Sequence, residues 1–206
     1  EIKITGVKKL KSISYGIMPD RIEAGTFLCM AAATGGNIKL LNVCAEHIVP
    51  AIHKLQEAGC DIAILKDSII IKAPKRLKPI EIKTMPYPGF PTDLQPQAGV
   101  CLSIANGTSI INESIWESRF QYTSELNKMG AKITPQGKSA VFEGVKSLSA
   151  APVYATDLRA GAALIIAGII ADGETELYNL HHIDRGYENI EEKFRKLGAN
   201  IKRVTE

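Results

Sequence analysis

The sequence predicts an α/β fold in which three similar units surround three buried helices. Three observations carry this. Segments KLQEAGCDI (54–62), ELNKMGAKI (125–133) and KFRKLGANI (193–201) end alike, each an amphipathic helix closed by glycine with isoleucine three residues on. Upstream of each lies a turn glycine and a β-type run: GGNIKLLNV (35–43), GTSIINES (107–114) and GETELYNL (173–180). Further upstream is an apolar stretch rich in small residues (27–33, 98–105 and 160–171), each after an aspartate: Asp20, Asp93 and Asp157. Self-similarity at a fixed period is the signature of repeat architecture.

Taken in order, each unit reads helix, strand, helix, strand, strand, strand. The first helix of a unit follows its aspartate, as an N-cap would dictate. AGAALIIAGIIA is apolar on every side, so as a helix it must be buried all round. FLCMAAA and AGVCLSIA are nearly as apolar, and their small side chains let helix axes approach closely. Three such helices meeting on a pseudo-threefold axis, with amphipathic helices and sheets outside, is the arrangement that buries them. Between units come SIIIKA then PIEIKT, and SAVFEG then APVYAT. The units therefore span about 20–84, 92–156 and 157–206 of one domain, 1–206. The third unit lacks its last strands, and the N-terminus offers a pair, IKITG then SISYGI. Residues 6–21 align without a gap with 144–159, so strands over 1–18 are expected to close the circle. The opening EIKITG lacks Met and reads as the middle of a strand, as in part of a longer protein.

Composition narrows the function classes. The chain has 206 residues, 45% hydrophobic and 23% charged, which is ordinary globular usage. Net charge is +3 with lysine and arginine scattered, which offers no nucleic-acid groove and no membrane-surface helix. The longest apolar run, 160–171, is too short to span a bilayer. Cys29, Cys44, Cys60 and Cys101 sit in apolar or helical patterns without C-x-x-C spacing, so buried thiols in a reducing cytoplasm are expected. No H-x-x-x-H or Cys/His grouping has metal-site spacing. Nothing demands more than a monomer.

Structural features should recur in all three units and functional ones should break the symmetry. Asp20, Asp93 and Asp157 recur, so capping alone accounts for them, and chemistry is the competing reading. Trp116 and Arg119 precede the amphipathic helix of the second unit, and Arg185 sits at the same junction of the third. The first unit has AEHIVP there, without arginine. Arg159 has Gln95 as its counterpart in the second unit. Two acids and three arginines near helix starts suit an anion-binding cleft. Surface pairing with Glu117, Asp184 or Glu188 is the plainer alternative. His181 and His182 are acid–base groups by type and structural or exposed by position.

GFPTDLQPQ, ESRF, TDLRAGAALIIAG and HHIDRGYENIEEKFRKLGANI, four blocks in order along essentially the whole chain, resemble the enolpyruvyl transferases, in particular the members acting on UDP-N-acetylglucosamine. The resemblance implies the family's inside-out α/β barrel, with two such domains and an active site in the cleft between them. It covers the C-terminal half of such an enzyme. The family's lysine–asparagine pair and the mobile loop with the fosfomycin-reactive cysteine belong to the first half and are not matched here. The implied reaction joins the sugar 3′-hydroxyl to C2 of phosphoenolpyruvate and expels phosphate, the first committed step of peptidoglycan synthesis, in the cytoplasm and without metal or organic cofactor. Its partners are UDP-N-acetylglucosamine, phosphoenolpyruvate and the missing N-terminal domain.

By the same resemblance, Asp93 contacts the 3′-hydroxyl and accepts its proton, while Asp157 takes part in proton transfer during addition and elimination. Ile115 contacts the UDP-sugar through its backbone. Arg119 lines the cleft, Arg159 lies beside Asp157 as a substrate-binding residue, and Arg185 clamps phosphoenolpyruvate when the domains close. Ser118 stands where the family usually has asparagine. A carboxylate is too weak a base to ionise an alcohol in advance, so Asp93 would act as the C–O bond forms. The single domain is expected to be inactive by itself. The alternatives are the sister activity on shikimate 3-phosphate and a non-catalytic binding module of the same fold.

Overall fold

In the computed structural model, which describes residues 1–204, regular structure begins at α1 (Arg21–Thr34). Asp20 fixes that start, its Oδ1 accepting the backbone N–H of Ile22 at 2.7 Å and of Glu23 at 3.3 Å. β1 (Asn37–Leu41), α2 (Val49–Glu57), β2 (Asp61–Ile64), β3 (Ser68–Lys72) and β4 (Glu81–Lys83) complete the first unit. The second holds α3 (Gln95–Ser103), β5 (Thr108–Asn112), α4 (Tyr122–Lys128), β6 (Lys132–Gln136), β7 (Ser139–Glu143), β8 (Leu148–Ser149) and β9 (Val153–Tyr154). The third holds α5 (Leu158–Ile170), β10 (Ala171–Asp172), β11 (Leu177–Tyr178), α6 (His181–Asp184) and α7 (Ile190–Lys196). Its last two residues, Thr205 and Glu206, lie outside the described residues.

The three apolar helices form the centre. α1, α3 and α5 pack pairwise against one another, and all nine residues of α3 are buried. Small side chains permit the close approach. A Cβ on Gly99 would collide with the buried hydroxyl of Tyr122, which lies directly over the helix. The amphipathic helices sit outside: α2 buries Ala51, Ile52 and Leu55 and leaves Gln56 and Glu57 in solvent. Each amphipathic helix runs into a left-handed glycine, Gly59, Gly130 or Gly198, where an L side chain would be strained.

Strands divide among separate sheets. β1, β3 and β2 form an antiparallel sheet in that order, and β4, β5, β7 and β6 form a mixed one. β4, which precedes α3, pairs in parallel with β5, which follows it, so the crossover places α3 against the sheet. Between the second and third units β8 pairs with β10 and β9 with β11, again in parallel across a helix. Among the described residues there are four sheets and no closed barrel. None of their helices is long and apolar enough to cross a membrane.

Two expectations are corrected. Residues 1–18 form no strand, and Ile2, Ile4, Leu10, Ile13 and Ile17 are all exposed. A strand needs a neighbour's hydrogen bonds; this segment pairs with none of the sheets, even though the outer edge of β1 is open. The gapless alignment of 6–21 with 144–159 also slips at its end. It sets Asp20 opposite Leu158, whereas the structure makes Asp20 and Asp157 the equivalent caps. Cys29, Cys60 and Cys101 are buried free thiols and Cys44 is half-buried. Burial pushes the Cys60 thiol up to about 11, so it stays protonated and inert near neutrality.

Candidate functional site

The three aspartates part company in the structure. Asp157 caps α5, its Oδ1 accepting from Arg159 N at 2.7 Å and Ala160 N at 3.0 Å. Asp20 does the same for α1. Asp93 caps nothing. It lies inside a 3-10 turn, Thr92–Leu94, and α3 begins only at Gln95, with Leu94 in the cap position and no side-chain cap. Pro91 and Pro96 frame this turn, and Pro96 at the start of α3 lacks an N–H that would need a cap.

Freed from capping, the Asp93 carboxylate faces two arginines. Arg119 Nη2 donates to Oδ1 at 2.6 Å and Arg159 Nη2 donates to Oδ2 at 3.2 Å. The arginine side chains are 7% and 15% exposed, while that of Asp93 is 41% exposed. The cations therefore form the floor and the carboxylate opens to solvent. Two guanidiniums against one carboxylate leave an excess positive charge with little water around it, the condition for holding an anion.

Each arginine is itself held. Arg119 comes from the turn Arg119–Gln121 ahead of α4; its Nε donates to Thr92 O at 3.1 Å and its guanidinium lies 5.5 Å from the Trp116 ring centroid. Arg159 is in the first turn of α5, and its Nη1 donates to the hydroxyl of Tyr187 at 3.3 Å. Burial works against its charge, but Tyr187 and Asp93 together raise its pKa above the ordinary guanidinium value. The backbone N–H of Arg159 caps onto Asp157 while its side chain reaches Asp93, so one residue links both acids.

Tyr187 ties this floor to the molecular centre. Its hydroxyl shares a hydrogen bond with Thr26 Oγ1 of α1 at 2.8 Å and accepts from Gln97 Nε2 of α3 at 3.3 Å. With Arg159 of α5, all three central helices meet at one oxygen. Burial pushes the Tyr187 pKa up, which keeps the phenol neutral.

Of the residues singled out from sequence, Asp93, Arg119 and Arg159 are in direct contact and Asp157 adjoins them through Arg159. Ile115 lies on an exposed loop between β5 and Arg119, 44% exposed. Arg185 ends α6, exposed and without an ion pair among the described residues; it stands two residues from Tyr187 at the rim. His181 and His182 lie on α6 with ring centroids 4.1 Å apart and planes tilted by 40°, and neither bonds to Asp93, Arg119 or Arg159. Sequence reasoning missed Tyr187, Thr26, Gln97, Thr92 and Glu113. Tyr187, Thr92 and Gln97 stand inside the quoted motifs, whereas Thr26, one polar residue in an apolar helix, carries no signal. Among the described residues no cluster of histidine, cysteine or carboxylate side chains is placed to hold a metal.

Comparison with known proteins agrees on a single group. A family profile described as EPSP synthase (3-phosphoshikimate 1-carboxyvinyltransferase) matches residues 1–194. UDP-N-acetylglucosamine 1-carboxyvinyltransferase 2 of Carboxydothermus hydrogenoformans is 52% identical over 207 residues, covering 100% of this chain and 49% of that protein. The UDP-N-acetylglucosamine 1-carboxyvinyltransferase of Clostridium botulinum is 52% identical over 203 residues, with 98% and 49% covered. The chain spans about half the length of the curated relatives it matches. Among solved structures, the enolpyruvyl transferase NikO from Streptomyces tendae superposes with a TM-score of 0.80 at 27% identity, over 90% of this chain and 44% of that one. An EPSP synthase from Acinetobacter baumannii gives 0.76 at 19% identity, over 89% and 46%, a likeness of fold alone.

Proposed function

The chain belongs to the EPSP synthase (3-phosphoshikimate 1-carboxyvinyltransferase) family, and on that premise we propose that it is one domain of an enzyme transferring the enolpyruvyl group of phosphoenolpyruvate to the 3′-hydroxyl of UDP-N-acetylglucosamine. The names of the relatives at 52% identity favour the nucleotide-sugar substrate over shikimate 3-phosphate. The domain, in this reading, is an inside-out barrel of three pseudo-threefold units around α1, α3 and α5. It works in the cytoplasm, at the first committed step of peptidoglycan synthesis, and its cleft is completed by a second domain like the half of the relatives outside the matched span.

The carrying observation is that Asp93, alone of the three equivalent aspartates, is released from capping and held between Arg119 and Arg159. In the proposed chemistry Asp93 receives the hydroxyl proton as the oxygen attacks C2, and C3 takes up a proton to give the tetrahedral phospho-ketal. Loss of that proton from C3 and of inorganic phosphate then leaves the enolpyruvyl ether. Both cap bonds of Asp157 fall on Oδ1, so Oδ2 is the atom it has for the proton at C3. Arg119, Arg159 and Arg185 answer the carboxylate and phosphate, and the backbone at Ile115 meets the sugar.

Phosphate release by the chain joined to the complementary half of a relative tests this. Asp93→Asn should fold normally and lose about 100-fold or more in turnover, and UDP-N-acetylglucosamine, not shikimate 3-phosphate, should support the reaction. A near-normal rate in the variant would remove Asp93 from the chemistry. The 206-residue chain by itself should release no phosphate.

A further inference from the structure

Glu113, the first residue after β5, is 3% exposed and accepts four hydrogen bonds. Its Oε1 accepts from Thr84 Oγ1 at 2.7 Å, from Ile115 N at 2.8 Å and from Trp116 N at 3.1 Å. Its Oε2 accepts from Thr92 Oγ1 at 2.9 Å. Thr84 Oγ1 in turn accepts from Ser114 N at 2.9 Å, and the backbone N–H of Glu113 donates to Lys138 O at 2.7 Å. One carboxylate thus joins the end of β4, the turn carrying Asp93, and the loop carrying Ile115, Trp116 and Arg119.

The equivalent positions make this a departure and not a fold requirement. Six residues beyond the turn glycines Gly36, Gly107 and Gly173 stand Asn42, Glu113 and Asn179. Asn42 and Asn179 adopt left-handed backbone, φ 55° and 62°, the ordinary way for asparagine to end a strand. Only the second unit, the one bearing Asp93, has a glutamate there, and its φ is not positive. A buried carboxylate is costly unless its bonds are all made, and apolar packing would serve stability as well. What apolar packing does not supply is a fixed distance between two loops.

We propose that Glu113 is a positioning residue for the sugar site: it locks the Asp93 turn to the Ile115–Trp116 loop, so that the proton acceptor and the backbone meeting the sugar keep one geometry. The proposal rests on the enolpyruvyl-transfer reading for its substrate, but the lock itself does not. Glu113→Gln should preserve it. The amide oxygen still accepts from Thr84, Ile115 and Trp116, and the amide nitrogen donates to Thr92 Oγ1. Glu113→Ala should release both segments. Thr92→Val should free the Asp93 turn alone while leaving Trp116 in place.

Trp116 is the one tryptophan of the sequence, so fluorescence of the intact chain reads the loop directly. Trp116 is 58% exposed, so its mobility is the readout. Its steady-state fluorescence anisotropy should fall by roughly a third in Glu113→Ala and stay near the parent value in Glu113→Gln and Thr92→Val, with circular dichroism unchanged. In the enzyme completed by the other half, Glu113→Ala should raise KM for UDP-N-acetylglucosamine about tenfold, leave KM for phosphoenolpyruvate within about threefold, and be largely rescued by Glu113→Gln. Thr92→Val should lower kcat more than it raises either KM. Equal anisotropy in parent and alanine variant, or equal losses for both substrates, would overturn the proposal. Should Glu113→Ala fail to fold, Thr92→Val and Glu113→Gln decide it by the same split. Absence of phosphate release from the unsubstituted enzyme would overturn the enolpyruvyl-transfer reading instead, and the Trp116 measurement would still decide the lock.

Discussion

At Asp157 one carboxylate holds a helix start with Oδ1 and keeps Oδ2 free of bonds to the described residues, whereas at Asp93 both oxygens face guanidiniums. The two roles separate by substitution. Asparagine caps as well as aspartate, so Asp157→Asn should keep urea stability within a few tenths of a kcal/mol, while Asp157→Ala should lose about 1 kcal/mol. Under the proposed chemistry both should lose turnover in the completed enzyme, because neither amide nor methyl moves a proton at C3. A full rate in Asp157→Asn would leave Asp157 as a cap and nothing more. The arginines were legible as types near helix starts; their joint grip on Asp93 was not, because it depends on where α3 begins. That start is shifted by the Thr92–Leu94 turn between two prolines, a one-turn adjustment that no apolar pattern records.

Elements set how firmly these residues are presented. The rim segment from α6 to α7, which carries Arg185 and Tyr187, is strapped by Arg203 from the chain's last described stretch. Its guanidinium donates to Asp184 at 2.8 and 3.0 Å and to Glu191 at 2.8 and 3.2 Å. These bonds hold both carboxyls below their ordinary values. Depressed carboxylates stabilise the fold fully above their unfolded values, near pH 4, and the contribution is lost as pH falls through the lower folded ones. Acid unfolding of Arg203→Ala should therefore be shallower than that of the parent between about pH 5 and pH 3, as read by circular dichroism at fixed urea. Equal slopes would show that the strap carries no linkage. Arg76 makes a similar tie elsewhere, its guanidinium donating to Ala105 O at 3.1 Å and Val145 O at 3.2 Å beyond the end of α3.

Across the whole molecule, the central helices and outer sheets account for the burial, and residues 1–18 take no part in it. Deleting them should leave the thermal midpoint of the chain within about 2 °C, a shift no larger than that of about 1 kcal/mol in a domain of this size. A large drop on scanning calorimetry would mean that the segment pairs with the open edge of β1 in solution.

The sequence by itself determined the buried helices, the turn glycines and the residue types that meet around Asp93. All of these follow from local chemistry: apolar periodicity, backbone preference and side-chain type. Tertiary structure decided which aspartate is free. Asp20, Asp93 and Asp157 look alike in sequence, and only packing shows two fastened to backbone N–H groups and one turned between Arg119 and Arg159. It decided the hub at Tyr187 and the lock at Glu113, whose partners come from segments far apart in the chain. It also left 1–18 unpaired although their pattern is that of strands. A strand pattern states which face would be buried, but pairing requires an edge within reach, and that is a property of the assembled sheets.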